Sequence, residues 1–319
     1  MSHNTGNSNN KKGVGIKKSA SFFGMLCGIL AAVAYGTNPL GALKLYANGM
    51  PTGSVLFYRF GLAWVIIAMV MLVRSTLLKG SRRETLRITP KEFGTLTALG
   101  LLFIVSSLTL YLSFHLMDAG VASTILFTYP VMTAVIMAVF FHERITWLTL
   151  SSIILSFIGV ALLYAGDGTA TLPFKGVVLV LLSALSYAVY IIVAARGKLR
   201  MSSFKINFYV LLYCALGMLA YALISGEGVM LPPNAVSWFY VGWLAIVPAI
   251  MALVLLVYAA KYAGSTTTAI LGALEPLTAV LIGIFVFGES FTLTLAIGIA
   301  FILASVALIV LKPAKSDNP

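Results

Sequence analysis

Charge is what this chain has least of. Only 9% of its 319 residues are Asp, Glu, Lys or Arg, where a soluble domain carries about a quarter, while 60% are hydrophobic and the mean hydropathy is +1.02. That balance excludes a soluble fold and makes the lipid bilayer the solvent. Cysteine occurs twice, at Cys27 and Cys214, both in apolar tracts, which excludes a disulfide framework and a cysteine metal site. Histidine occurs three times, at scattered positions 3, 115 and 142, and neither HExxH nor GxSxG is present, so a membrane-embedded enzyme has no sequence support. No Walker motif appears, and no cofactor is called for. The net charge of +12 is spread over short loops rather than a basic domain, which excludes a nucleic-acid partner.

What is present is a series of long apolar runs. A spanning helix needs roughly 20 such residues, and ten are expected, near 21–45, 52–73, 93–116, 119–141, 146–165, 174–195, 204–225, 236–260, 264–287 and 291–311. The loops between them are too short to fold alone, and tails 1–20 and 312–319 are expected to be cytoplasmic. With an even number of spans and the amino terminus inside, 18 of the 21 Lys and Arg fall on cytoplasmic flanks, as the positive-inside rule requires. Only Lys44 and Lys175 fall outside, and Arg59 lies within the second span.

The chain also repeats itself. YPVMTAVIMAVFFHERIT (129–146) aligns with EPLTAVLIGIFVFGESFT (275–292) at an offset of 146, placing Pro130 over Pro276 and Glu143 over Glu289. Gly24, Leu30 and Tyr35 lie over Gly176, Leu182 and Tyr187 at an offset of 152. Each repeat, 21–165 and 174–311, holds five helices. Because five is odd, two like-folded repeats enter the membrane from opposite sides, the inverted-topology architecture of secondary transporters with a site near the midplane. The fold class is therefore an all-α membrane protein of ten transmembrane helices in two inverted five-helix repeats.

These motifs resemble the EamA-type, ten-helix branch of the drug/metabolite transporter superfamily. The resemblance rests on the two segments with Pro followed thirteen residues on by Glu, on Arg59, and on the Glu275–Pro276 pair. It implies a central cavity ringed by helices 1, 3, 4, 6, 8 and 9, with helices 5 and 10 peripheral. Tyr129 stands where the second repeat has Glu275. The implied activity is secondary transport in the cytoplasmic membrane, most simply export of amino acids or related amphipathic metabolites by alternating access. A channel or a non-transporting sensor is the alternative.

Candidate site residues follow from cost. A charge at the bilayer centre costs about 2.5–3.5 kcal/mol on insertion scales, so Glu275 either faces a cavity and meets a cationic group or proton, or stays protonated and caps backbone groups beside Pro276. Arg59 either lines the cavity and engages a carboxylate through its planar fork, or snorkels outward. Asn38, Tyr111, Tyr129, Tyr187 and Tyr258 are candidate lining residues, with an interfacial aromatic belt as the alternative for the tyrosines. Pro130 and Pro276 are expected to bend their helices and free the carbonyls of Leu126 and Gly272. The partners implied are the bilayer and a small-molecule substrate, and the chain is expected to be a monomer or a homodimer.

Overall fold

The computed structural model describes residues 7–77, 86–142, 146–165, 173–197, 201–264, 267–268 and 271–310, all helix and connecting turns. The helices are α1 (Asn7–Gly36), α2 (Asn38–Ala47), α3 (Thr52–Leu77), α4 (Pro90–Ser113), α5 (Ala119–Leu126), α6 (Tyr129–Phe141), α7 (Trp147–Ala165), α8 (Phe174–Arg196), α9 (Ser203–Ile224) and α10 (Ala235–Ile246). A π-helical turn at Val247–Met251 joins α10 to α11 (Ala252–Ala263), and α12 (Leu274–Phe287) and α13 (Leu293–Val310) close the chain. Among the described residues, eight stretches are long and apolar enough to cross a membrane, with Leu274–Phe287 and Leu293–Leu308 as shorter apolar helices. Glu143, one of the repeated glutamates, lies outside the described residues, as do 1–6 and 311–319.

The surface confirms the solvent. Phe157, Phe285, Leu223 and Ile224 point outward and are each more than 60% exposed, which is stable where lipid tails do the solvating. Inside, close approach replaces hydrophobic drive, because lipid is as apolar as the side chains. A Cβ on Gly100 would meet the Tyr213 side chain at 2.5 Å, and one on Gly217 would meet Ile104 at 2.4 Å. Ser183 on α8 donates to the carbonyl of Ser106 on α4 at 2.7 Å, and Ser152 on α7 donates to the carbonyl of Ser305 on α13 at 2.6 Å. The second of these bonds pins α7 and α13 together.

Helix ends are defined locally. Thr89 and Glu92 form a reciprocal capping box with Pro90 in the first turn of α4. Asn234 caps α10 by accepting from the Ser237 N–H at 2.8 Å. The repeated helices α6 and α12 end alike, in left-handed residues at equivalent positions, His142 (φ 56°) and Gly288 (φ 70°).

The spans are interrupted at four places, each at a proline, two of them at Pro130 and Pro276, which are expected to bend their helices. Span 1 breaks at Thr37, between α1 and α2, where Pro39 has no N–H for the carbonyl of Tyr35; the side-chain amide of Asn38 donates there instead, at 2.8 Å. Span 8 carries the π-helical turn around Pro248. The fourth span breaks at Phe127–Thr128 before Pro130, and the ninth at Gly272–Ala273 before Pro276. The carbonyl of Gly272 is not left free as expected: the Glu275 N–H donates to it at 2.9 Å in a tightened turn. Helix α1 begins at Asn7, ahead of its membrane-spanning stretch, which starts at Phe22.

The basic residues gather at one end of the bundle. Arg74, at the end of α3, lies over the Phe204 ring at the start of α9 at 4.8 Å, Lys205 Nζ donates to the carbonyl of Arg87 at 2.7 Å, and Arg196 lies over Phe141 at 3.8 Å. At the other end, Lys44 lies over Phe287 at 5.4 Å, and Glu289 sits beside Ala119.

Candidate functional site

Three of the four breaks meet in the middle of the bundle. A Cβ on Gly36 would stand 2.6 Å from the Glu275 carbonyl and 2.5 Å from the Thr278 Cβ, so the end of α1 lies directly against the first turn of α12. Glycine is what permits that approach. The Trp243 indole of α10 reaches the same place, donating to Thr37 Oγ1 at 3.2 Å.

Arg59 on α3 is 7% exposed and does not snorkel. Its Nη1 donates to the Tyr111 hydroxyl at 2.6 Å, and that hydroxyl donates to Asn38 Oδ1 at 3.4 Å. The guanidinium lies 5.3 Å from the Phe60 ring centre and 5.4 Å from that of Tyr111. Its Nε is buried and without a hydrogen-bond partner. An orphan N–H on a buried cation is expensive, and it is directional: together with Nη2 it forms the edge that accepts a carboxylate bidentately.

Glu275 lies within electrostatic reach of Arg59, Tyr35, Tyr129 and Tyr187. Among the described residues its carboxylate has no hydrogen bond or ion pair, although its side chain is only partly covered. It therefore caps no backbone group beside Pro276; only its own main-chain N–H does that work. Tyr129 packs edge-on against Tyr187 at 4.8 Å, and Tyr187 stacks on Tyr190 at 5.8 Å. Phe103 closes the aromatic wall, 5.3 Å from Tyr190 and 5.9 Å from Phe60. Equivalent positions of the two repeats meet here, Tyr35 with Tyr187 and Tyr129 with Glu275.

Of the residues singled out from sequence, Arg59, Asn38, Tyr111, Tyr129, Tyr187 and Glu275 are brought together, with Pro130 and Pro276 in the first turns of the helices that present Tyr129 and Glu275. Tyr258 stands apart: it is 42% exposed and stacks on Tyr262 against Phe23. Sequence reasoning did not single out Thr37 or Phe103, which look like ordinary helix residues until the break and the wall form around them. Among the described residues no cluster of His, Cys, Asp or Glu could hold a metal ion.

Two halves of apolar helices around a polar, aromatic-walled centre define a multi-pass membrane protein of the transporter class. The sequence model of the EamA-like transporter family matches residues 22–165 and again 174–311, and the chain belongs to that family. An "uncharacterized transporter" of Archaeoglobus fulgidus is 32% identical over 191 residues, covering 60% of this chain and 67% of that protein. The "uncharacterized transporter YdfC" of Bacillus subtilis is 24% identical over 201 residues, covering 63% of this chain and 65% of that one. One solved crystal structure, described only as that of a protein, superposes with a TM-score of 0.61 at 18% identity, covering 91% of this chain and 96% of its own, and so shares the fold.

Proposed function

We propose that the chain is a secondary transporter for α-amino acids or closely related amphipathic metabolites, working by alternating access in the cytoplasmic membrane, with export as the net direction. The observation that carries this reading is the pairing, in one aromatic-walled site, of a buried guanidinium with an unpartnered Nε and a carboxylate with no partner. An α-amino acid presents the two complementary charges: its carboxylate meets Arg59, and its ammonium meets Glu275. The tyrosine faces accept apolar side chains without demanding one shape, which fits a class of substrates rather than a single one.

The topology in this reading is ten spans in two inverted repeats. It is supported by where the repeats begin. Gly24 of α1 packs against Ala263 at the end of α11, whereas Gly176, the equivalent residue of α8, packs against Leu116 and Met117 beyond the end of α4. These are opposite ends of the bundle. The end that gathers Arg74, Arg87, Lys205 and Arg196 is the cytoplasmic one by the positive-inside rule, and both termini are then cytoplasmic. Broken helices meeting at mid-membrane are the usual form of a carrier site, because freed backbone groups are tolerated only where protein or cavity water can meet them.

The test is uptake and counterflow of a panel of amino acids and their decarboxylated or esterified analogues in proteoliposomes, with and without a pH gradient. Transport of compounds carrying both charges, and its loss when either charge is removed, is the expected result. Equal transport of analogues lacking the carboxylate would sink the Arg59 assignment.

A further inference from the structure

A groove of about 410 Å³ runs between the inner halves of α3, α9 and α11, away from the central site, and is lined by Val70, Phe204, Asn207, Val254, Val257 and Tyr258 among others. Its volume lies in the range of small-ligand sites, and its lining is apolar apart from Asn207 and the Tyr258 hydroxyl. The helices that form it cross the bilayer, and Val70, Val257 and Tyr258 are exposed rather than packed against protein. Both walls end in a cation. Arg74 stands one turn beyond Val70 on the same face of α3, exposed, with its guanidinium 4.8 Å from the ring centre of Phe204, which is itself part of the lining. Lys261 stands three residues beyond Tyr258 on α11, exposed, with its ammonium over Tyr262 at 5.2 Å.

We propose that this groove is a binding site for one anionic phospholipid, with an acyl chain along the apolar floor and the phosphate held between Arg74 and Lys261. The chemistry of the two parts selects the occupant. An apolar slot open to the membrane has hydrocarbon as its neighbour, so an alkyl chain enters without desolvation cost. Two cations at its mouth attract a headgroup with net negative charge, each contributing about fivefold in affinity at a membrane surface. A zwitterionic lipid gains the slot but cancels much of the attraction through its own ammonium. The site requires only that these helices span a bilayer, so it stands or falls independently of the transport reading.

Native mass spectrometry of the full chain released from detergent, after incubation with phosphatidylglycerol and phosphatidylcholine of matched chains, tests the proposal. Phosphatidylglycerol should be retained severalfold over phosphatidylcholine. Arg74→Ala with Lys261→Ala should erase that preference, bringing retention of the two lipids to parity, and Val257→Trp, which fills the slot, should reduce retention of both lipids. Arg74→Lys with Lys261→Arg keeps the charges while changing the packing, and should keep the preference, which separates headgroup recognition from any loosening of α3 against α9. Equal retention of the two lipids by the wild type, a preference unchanged in the double alanine variant or lost in the charge-conserving one, or full retention by Val257→Trp would each overturn it.

Discussion

The carboxylate of Glu289 caps a helix in the other half of the molecule: it accepts from the backbone N–H of Ala119 at 2.9 Å and of Gly120 at 3.3 Å. Asp118 occupies the N-cap position of α5 but makes no side-chain capping bond, so the cap arrives from 170 residues further along. Gly283 makes room for it, since a Cβ there would collide with the Glu289 carboxylate. A negative group at these orphan N–H groups is also favoured by the helix dipole.

Stability should therefore depend on pH in a definite direction. Burial first, and the neighbouring Asp118 second, push the Glu289 carboxyl above the ordinary carboxylate range, while its two backbone bonds oppose the shift; burial pushes Asp118 up as well. A carboxyl whose folded pKa is raised binds protons more tightly when folded. Its contribution is full below the unfolded value, near 4.5 for Glu289 and 3.8 for Asp118, and is lost as pH rises through the folded value. Melting temperature in detergent should fall from mildly acidic toward neutral pH, and Glu289→Gln should flatten that slope. Glu289→Ala should lower stability at every pH by about 2 kcal/mol or more, the cost of two donors on the buried residues Ala119 and Gly120 losing their acceptor. A slope identical in Glu289→Gln would count against the assignment.

Arg59 and Tyr111 make a charge-assisted bond of 2.6 Å in a buried setting. Tyr111→Phe should cost about 1.5–3 kcal/mol, read as a lower melting temperature, because the guanidinium loses its oxygen while staying buried. Arg59→Lys keeps the charge but not the fork, and transport of a carboxylate substrate should drop by at least about tenfold, one lost bidentate partner being worth some 1.4 kcal/mol or more. Transport at the wild-type rate by Arg59→Lys would show that the guanidinium serves structure alone.

His142 is the described non-glycine residue with positive φ, at 56°, where the second repeat has Gly288. A side chain in that conformation costs roughly 1 kcal/mol. His142→Gly should leave stability unchanged or raise it by up to about that amount, the gain being limited by the freer unfolded chain. A clear fall in melting temperature would mean that the imidazole itself supports the turn.

Much of this architecture was legible because membranes enforce simple rules. Apolar runs, the odd-numbered repeat and the basic loops follow from burying backbone and holding charge out of lipid. Arg59, Glu275 and Asn38 were legible as polar exceptions to that pattern. The breaks in spans 1 and 8 were not read, although Asn38–Pro39 and Pro248 carried the signal, because proline in a membrane helix is compatible with either a bend or a break. Tyr258 differs from Tyr129 and Tyr187 only in which side of a helix it occupies, and that depends on how α11 packs against α1. The capping role of Glu289 was hidden for another reason: its partners are main-chain N–H groups of a distant helix, which no side-chain pattern reports.

The topology reading makes its own test. With Arg74, Arg87, Lys205 and Arg196 at one end, that end is expected in the cytoplasm, and Gly49 and Gly228 at the opposite turns are expected outside. Single cysteines placed at these two turns, in a chain with Cys27 and Cys214 replaced, should react with a membrane-impermeant maleimide in intact cells. A cysteine in place of Gly197, just past the end of α8, should react only after permeabilisation. The reverse pattern would invert the proposed orientation.

Glu275 offers the sharpest separation of chemistry from structure. Its carboxylate has no described partner, so its removal should leave the fold intact: Glu275→Leu should express and melt close to wild type, where a capping role would have cost about 1–3 kcal/mol. Transport should respond quite differently. Glu275→Gln keeps the size and the hydrogen-bonding oxygen but loses the charge that meets a substrate ammonium, and initial rates should fall at least about tenfold with the pH dependence of transport flattened. Glu275→Asp keeps the charge one methylene further back and should retain partial transport and the pH dependence. A substrate analogue without the amino group gives the complementary measurement, since its residual transport should be the same in wild type and Glu275→Gln. Wild-type rates and an unaltered pH profile in Glu275→Gln would make the carboxylate a bystander, and the ammonium would then have to be read by the tyrosine faces of Tyr35, Tyr129 and Tyr187 through their π-electrons, an arrangement that Tyr129→Leu would abolish and Tyr129→Phe would preserve.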